Sequence, residues 1–283
     1  MVQRLSGDYD ESLTEASFSA LLELALTLKS YGNSIVLVGG WVPYLLIDEF
    51  GRKDFKHVGS IDIDLAVNPE QIDGGAYATI ADKMESRGYR NRLDREGNRI
   101  AYSFAKSVQS PVDGKEHAIA VDFLTYASPD SGKHRHRTVQ AGLPARIANG
   151  CELAFRYNYP RKIAGTLPGN GEAEEFLSML DIPGCLGMKG IALGERYKEK
   201  DAYDIYSVIG YCLENPMEVA KKVKPHLDDE ELRASIDEIE KKFRNIKAEG
   251  PSWVGIFTSV DPELRQREQA AAYATVREFL ENI

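Results

Sequence analysis

The spacing of apolar residues changes period several times in the first part of the chain. Between Leu13 and Leu28, Phe18, Leu21, Leu22, Ala25 and Leu28 recur at helical spacing, with Leu24 and Leu26 widening the face. Tyr31-Gly32-Asn33 supplies the stop, Gly32 being a suitable C-terminal cap. Ile35-Val36-Leu37-Val38 is too short for a globular helix and rich in β-branched residues, which predicts a buried strand. Gly39-Gly40 breaks it, Trp41 to Phe50 is helix-compatible, and a polar loop leads to Ser60. In the strand Asp62–Val67, alternation puts Asp62 and Asp64 on one face and Ile61, Ile63 and Leu65 on the other, toward the interior. Asn68-Pro69 ends it.

A helix is expected over Ala76 to Arg87, ahead of Gly88. Arg99–Phe104 and His117–Leu124 alternate and flank the turn Pro111-Val112-Asp113-Gly114, as a hairpin does, and the second strand embeds Asp122 among apolar residues. Helix, strand, helix, strand, helix, strand, strand is the order of a mixed α/β layer on one sheet. The middle is less regular, and Gly165 to Gly171 reads as a turn-rich candidate hinge. From Ile182 the period is helical, over Gly184–Glu195, Lys200–Cys212, Pro216–Val223, Glu230–Lys247 and Pro262–Asn282. The expected division is an α/β lobe with a mixed sheet over residues 1–171 and a mainly helical lobe over 172–283.

Composition narrows the function classes. A length of 283 residues suits one large domain or two ordinary ones, and 43% hydrophobic with 28% charged residues is ordinary for a globular chain. No apolar run approaches a membrane span of about 20 residues, and the N-terminus lacks a signal peptide's apolar core. Cys151, Cys185 and Cys212 are widely spaced and odd in number, fitting neither a zinc pattern nor a disulfide framework, so a reducing cytoplasm is the expected setting. A net charge of −9 argues against a protein that coats nucleic acid, while leaving room for a local basic site.

Two carboxylates on one face of an apolar strand are costly without a cation between them. Asp62 and Asp64, with Asp122 on a neighbouring strand, are therefore candidate ligands for Mg²⁺ or Mn²⁺ in phosphoryl or nucleotidyl transfer, the alternative being a solvated strand edge. Gly39-Gly40 lets backbone N–H groups approach a phosphate, and Ser60 adds a hydroxyl. Further on, Lys189, Leu193, Arg196 and Lys200 fall on one helical stripe, and Asp201 and Asp204 lie one turn apart; they form either a binding face or a solvated helix with internal ion pairs. Lys133-His134-Arg135-His136-Arg137 is either a grip for an acceptor's phosphates, through Lys133, Arg135 and Arg137, or a solvated loop. Tyr157 and Tyr159, between Arg156 and Arg161, either stack on bases or belong to a strand.

The set Gly39-Gly40, Ser60-x-Asp62-x-Asp64 and Asp122 resembles the polymerase-β-type nucleotidyltransferase superfamily. Met188 to Ile205, with Lys189, Ala192-Leu193, Arg196, Lys200-Asp201 and Asp204, is similar to a segment of the AbiEii family, which includes type IV toxins and the related MenT toxins. The resemblance covers roughly residues 30 to 210. It implies a nucleotidyltransferase fold and transfer of a nucleotide from an NTP or dNTP. Asp62, Asp64 and Asp122 would bind metal, Asp122 alternatively serving as base. Gly39, Gly40 and Ser60 would hold phosphates, Lys189 would contact the triphosphate with Arg196 nearby, and Asp204 with Asp201 would complete the second-lobe motif. The implied acceptor is RNA such as a tRNA 3′ end, in a toxin or phage-defence effector with a cognate antitoxin or defence partner. The alternatives are template-independent synthesis of a nucleotide oligomer signal, and a silent nucleotide-binding or antitoxin-like module.

Overall fold

The two apolar runs expected to be strands lie side by side. β1 (Ile35–Val38) and β2 (Asp62–Val67) pair antiparallel, with Leu37 opposite Leu65 and Val38 opposite Asp64. The computed structural model describes residues 4–72, 79–129 and 135–283. Beyond β2 the sheet continues through β5 (Glu116–Thr125), β4 (Arg99–Gln109) and β3 (Arg90–Leu93); beyond β1 it continues through β9 (Glu172–Leu180) and β8 (Asn158–Thr166). The pairs β2–β5 and β1–β9 are parallel and the other neighbours antiparallel, so the sheet is mixed. A hairpin of β6 (His136–Gln140) and β7 (Leu143–Ile147) joins through parallel pairing of β7 with the end of β5.

Helix α1 (Glu11–Leu28) starts where Asp10 accepts the Leu13 N–H at 2.9 Å, two residues before the apolar period begins. Its buried Leu21, Leu24 and Leu28 lie against the face that carries Leu37 and Leu65. By alternation the opposite face of β2 carries Asp62 and Asp64. The expected helix from Ala76 is described from Ile80: α3 (Ile80–Ser86) is closed by a capping box in which Thr79 and Asp82 exchange hydrogen bonds. Residues 76–78 of that expectation lie outside the described residues.

Three expectations are corrected. The stretch from residue 172 is not yet helical, because Glu172–Leu180 is the strand β9. Gly165–Gly171 is not a hinge but the end of β8 and its turn into β9, closed by the Leu167 N–H on the Gly171 carbonyl at 2.6 Å. β3, β6 and β7 were not foreseen as strands, and β8 only as the alternative offered for Tyr157 and Tyr159. Their polar positions alternate with few apolar ones: Ile163 is the one residue of β8 that is fully buried.

Contacts divide the chain into two compact units. Asp10–Gly40 with Ser60–Leu180 forms the first, holding the sheet, α1, α3 and the short α4 (Leu153–Arg156). The residues up to Tyr9, Trp41–Gly59 and Asp181–Ile283 form the second. Its helices are α2 (Trp41–Phe50), α5 (Ile182–Glu195), α6 (Glu199–Tyr211), α7 (Pro216–Val223), α8 (Glu230–Lys242), α9 (Glu249–Thr258) and α10 (Pro262–Asn282). A single break at residue 171 is thus replaced by a break before Asp181 and an N-terminal segment, Trp41–Gly59, that packs with the helices. Where one helix was expected over Glu230–Lys247, α8 ends at Lys242; α9, with Gly250, Pro251 and Gly255, has too little helix propensity to be read from sequence. The α5–α8 crossing is close enough that a Cβ on Gly190 would lie 2.5 Å from the Ser235 carbonyl oxygen.

Candidate active site

Register aligns the three sheet carboxylates. Asp64 on β2 and Asp122 on β5 are direct partners in a parallel ladder, and Asp62 is opposite Ala120. Partners in a parallel pair share a face and lie about 4.8 Å apart, and Asp62 is one pleat before Asp64 on the same side. All three are half-buried while Ile63, Val121 and Phe123 between them are fully buried. Gly39, at the end of β1, has φ +76°, and a Cβ there would fall 2.2 Å from Asp64 Oδ2. Any side chain is excluded both by the backbone conformation and by the carboxylate.

Two of the carboxylates take hydroxyl partners. Ser60 Oγ donates to Asp62 Oδ1 at 3.1 Å, and Ser103 Oγ donates to Asp122 Oδ1 in a short hydrogen bond. Arg92 donates to Ser103 Oγ at 3.3 Å and stands 3.8 Å from Asp122 Oδ1, whose side chain is 27% exposed. Among the described residues no group of three His, Cys, Asp or Glu side chains closes on one point. The all-oxygen donor set on neighbouring strands is of the kind that a hard divalent cation such as Mg²⁺ or Mn²⁺ takes, and the space beside Gly39 is filled by the Asp64 carboxylate itself.

The carboxylates of the helical unit are placed differently. Asp204 is fully buried and accepts three hydrogen bonds: from Lys189 Nζ at 2.5 Å, Lys200 Nζ at 2.8 Å and His57 Nε2 at 3.0 Å. The Gly59 N–H donates to His57 Nδ1 at 3.1 Å, which puts the imidazole proton on Nε2. Asp201 accepts from Lys189 at 3.1 Å and from both Nε and an Nη of Arg196, at 2.8 and 3.0 Å. Burial alone would push the Asp204 carboxyl up; the Lys189 and Lys200 ammonium groups overcome it and hold it well below the usual carboxylate range. Burial draws the Lys189 ammonium down, and Asp204 and Asp201 more than reverse this, so it stays charged. The stripe expected from Lys189 to Lys200 is broken, because α5 ends at Glu195 and Arg196 has an extended backbone. Lys189 and Asp204, expected to serve the nucleotide, are thus joined to each other inside the helical unit.

The remaining expected residues divide. Lys133 and His134 lie outside the described residues. Arg135 is exposed, and Arg137 on β6 lies over the Tyr126 ring at 5.3 Å and stands 3.7 Å from Glu70. Tyr159 belongs to β8 and pairs with Met179, and Trp41 is buried edge-on to Tyr44. The β3–β4 hairpin gave no charge signal in the sequence, although Arg90, Arg92, Arg95 and Arg99 follow one another within a short span there, just after Arg87 at the end of α3. The interleaved Asp94 and Glu96 mask it as a mixed-charge run. His57 gave no signal, being one histidine in a polar loop.

No protein-family model matches the chain, and no curated protein is significantly similar to it. Among solved structures it is similar to an antigenic nucleotidyltransferase-like protein of Paracoccidioides brasiliensis, at 13% identity over 81% of this chain and 89% of that one, with a TM-score of 0.44. It is also similar to JHP933 of Helicobacter pylori, at 12% identity over 96% of this chain and 94% of that one, with a TM-score of 0.45. At these scores the likeness is loose; the chain itself has a mixed α/β sheet whose one face lines up three aspartates beside a glycine turn.

Proposed function

We propose that this face is the metal-binding centre of a nucleotidyltransferase that moves an NMP from an NTP to an acceptor hydroxyl. The observation that carries the reading is the register of Asp64 against Asp122, with Asp62 one pleat away and Gly39 pressed on Asp64. In the reaction the acceptor oxygen bonds to the α-phosphorus, the α–β phosphoanhydride bond breaks, pyrophosphate leaves and the hydroxyl gives up its proton. Asp62, Asp64 and Asp122 would hold Mg²⁺ or Mn²⁺. When bound, the cation supplies neutralisation of the triphosphate and activation of the attacking oxygen.

The protein's own groups carry the rest. Asp122, kept in place by Ser103 and Arg92, is the base for the acceptor proton. The backbone of Gly39-Gly40 and the Ser60 hydroxyl hold phosphate oxygens. Lys189, Arg196, Asp201 and Asp204 tie α5 to α6 within the helical unit, in place of the direct triphosphate contact that resemblance implies for Lys189. RNA is the acceptor class, supported by the arginine-rich β3–β4 hairpin. The similarity of Met188–Ile205 to the AbiEii segment supports a toxin or phage-defence role with a tRNA 3′ end as target.

The test is incubation with each α-labelled NTP and dNTP, with Mg²⁺ or Mn²⁺, with and without total tRNA, followed by separation of products. The expected result is label on RNA that is lost with chelator and in Asp64→Asn. Label appearing equally in the folded Asp64→Asn protein would sink the assignment.

A further inference from the structure

We infer that Tyr102, His136 and Arg146 form a binding strip for a single-stranded RNA acceptor, leading away from Asp122 along the sheet. The inference rests on the nucleotidyltransferase reading above. The Tyr102 and His136 rings stack, with centroids 5.1 Å apart and planes 25° from parallel, and His136 is exposed. The Arg146 guanidinium lies over the Tyr102 ring at 6.0 Å. His136 and Arg146 are register partners across β6–β7. Arg146 is also the register partner of Leu124, two residues beyond Asp122 on β5. Strand geometry therefore sets the Cα atoms of Arg146 and Asp122 roughly 8 Å apart, one strand over and one pleat along.

Two features point to a nucleotide strand as occupant. An exposed imidazole already stacked on a phenol ring offers a flat apolar face that any base can extend, because every base has a π-face. The Arg146 Nε is buried and finds no acceptor among the described residues. Arg146 as a whole is partly exposed, and a guanidinium donates to phosphate oxygens with charge assistance. Arg92, with a 43% exposed side chain, continues the positive surface to Asp122 itself. On a chain of net charge −9 a polyanion needs such a local track to approach at all. Ring stacking with few base-specific donors predicts tolerance of sequence and preference for single strands over duplex.

The test uses the full chain carrying Asp64→Asn, so that binding is read without turnover. A short fluorescein-labelled single-stranded RNA with a free 3′ hydroxyl is titrated at several salt concentrations, alongside the matching duplex and ATP. Adding His136→Ala should weaken single-strand binding about tenfold, within the range for a lost base stack, and leave ATP affinity and the melting midpoint unchanged. Arg146→Ala should lower the salt slope by about one, and Arg146→Lys should keep the slope while losing affinity. RNA affinity unchanged in the His136→Ala, Arg146→Ala pair overturns the strip, as does an equal loss for ATP and RNA. Failure of the nucleotidyltransferase reading is seen separately, as undiminished transfer by Asp64→Asn, and does not alter these affinities.

Discussion

Asp62, Asp64 and Asp122 on the sheet, and Asp201 and Asp204 on α6, are five aspartates in opposite electrostatic situations. On the sheet, two carboxylates have hydroxyl partners, one guanidinium stands 3.8 Å from Asp122, and all three remain half-buried. On α6, two fully buried carboxylates share two ammonium groups, a guanidinium and an imidazole N–H. A carboxylate surrounded by donors has its charge answered within the chain and little capacity left for a ligand. A half-buried carboxylate with a hydroxyl partner keeps lone pairs and charge for something from outside. The sequence motif at Lys189–Asp204 and the one at Ser60–Asp64 look alike as functional signals; burial separates them into a set whose charges are answered within the chain and a set half open to solvent.

The largest expected effect follows from breaking the answered set. Lys189→Ala leaves Asp204 and Asp201, both fully buried, each short of a cation. Removal of one partner from a buried pair costs about 3–5 kcal/mol. A urea midpoint equal to wild type would show that Lys189 is not needed for the fold, and would return it to the triphosphate.

Next comes Asp64→Asn, where the expectation reverses. Removing one of three aligned negative charges relieves repulsion, so the urea midpoint should stay level or rise. Transfer should fall on the order of 10²–10³-fold, as for loss of a preorganised group at a reacting centre. A stability loss as large as that of Lys189→Ala would erase the contrast between the two sets.

The contrast itself was only half legible in the sequence. β1, β2, α2, α7 and α10 fall where periodicity and punctuation put them, because each has a full apolar face or a clear cap or break. The carboxylate alignment was legible for the same reason: alternation fixes Asp62 with Asp64, although only the β2–β5 pairing reveals Asp122 as Asp64's neighbour. β9 escaped and β8 was only half seen because exposed positions carry Glu172, Glu174 and Lys162, and a strand whose alternation is mostly polar has no hydrophobic period to read. The burial of Lys189 and Lys200 escaped because a lysine's fate depends on what its neighbours in space supply. Asp204 is fifteen residues from Lys189, and His57 comes from a distant loop.

A pH dependence sharpens the answered set further. Burial drives the His57 imidazole down to about 4, opposed by its hydrogen bond to Asp204 and assisted by Lys200 and Lys189. In the unfolded chain it titrates near 6.5. Between these values the unfolded state binds the extra proton, so stability rises with pH across the window: it is full above 6.5 and is lost as pH falls toward 4. From pH 7 to pH 5 the loss is about 2 kcal/mol. Asp204, with its own carboxyl held low, adds to the loss only at lower pH. His57→Gln should lower stability at pH 7 but flatten the dependence between 7 and 5. Parallel curves for the variant and wild type would mean that another group titrates there.

The smallest effect concerns the hydroxyls that flank the sheet carboxylates. Ser60 is buried and its Oγ donates to Asp62 Oδ1, but Asp62 is itself half-buried and water can take over much of the lost bond. Ser60→Ala should therefore cost about 1 kcal/mol of stability or less. Ser103 is also buried, yet it links Asp122 to Arg92, so Ser103→Ala removes a donor from one and an acceptor from the other and should cost more. On transfer the order should invert. If Ser60 is released from Asp62 to hold a phosphate oxygen, its loss is felt in the reaction and amounts to about tenfold in kcat/KM, equivalent to some 1.4 kcal/mol. Ser103, which only steadies Asp122, should cost less in rate than in stability. Measuring both variants in urea and in the labelled-NTP assay separates a hydroxyl that works on substrate from one that works on the protein. The same ranking in both measurements would mean that Ser60 is structural and that the phosphates are held elsewhere on the Gly39-Gly40 turn.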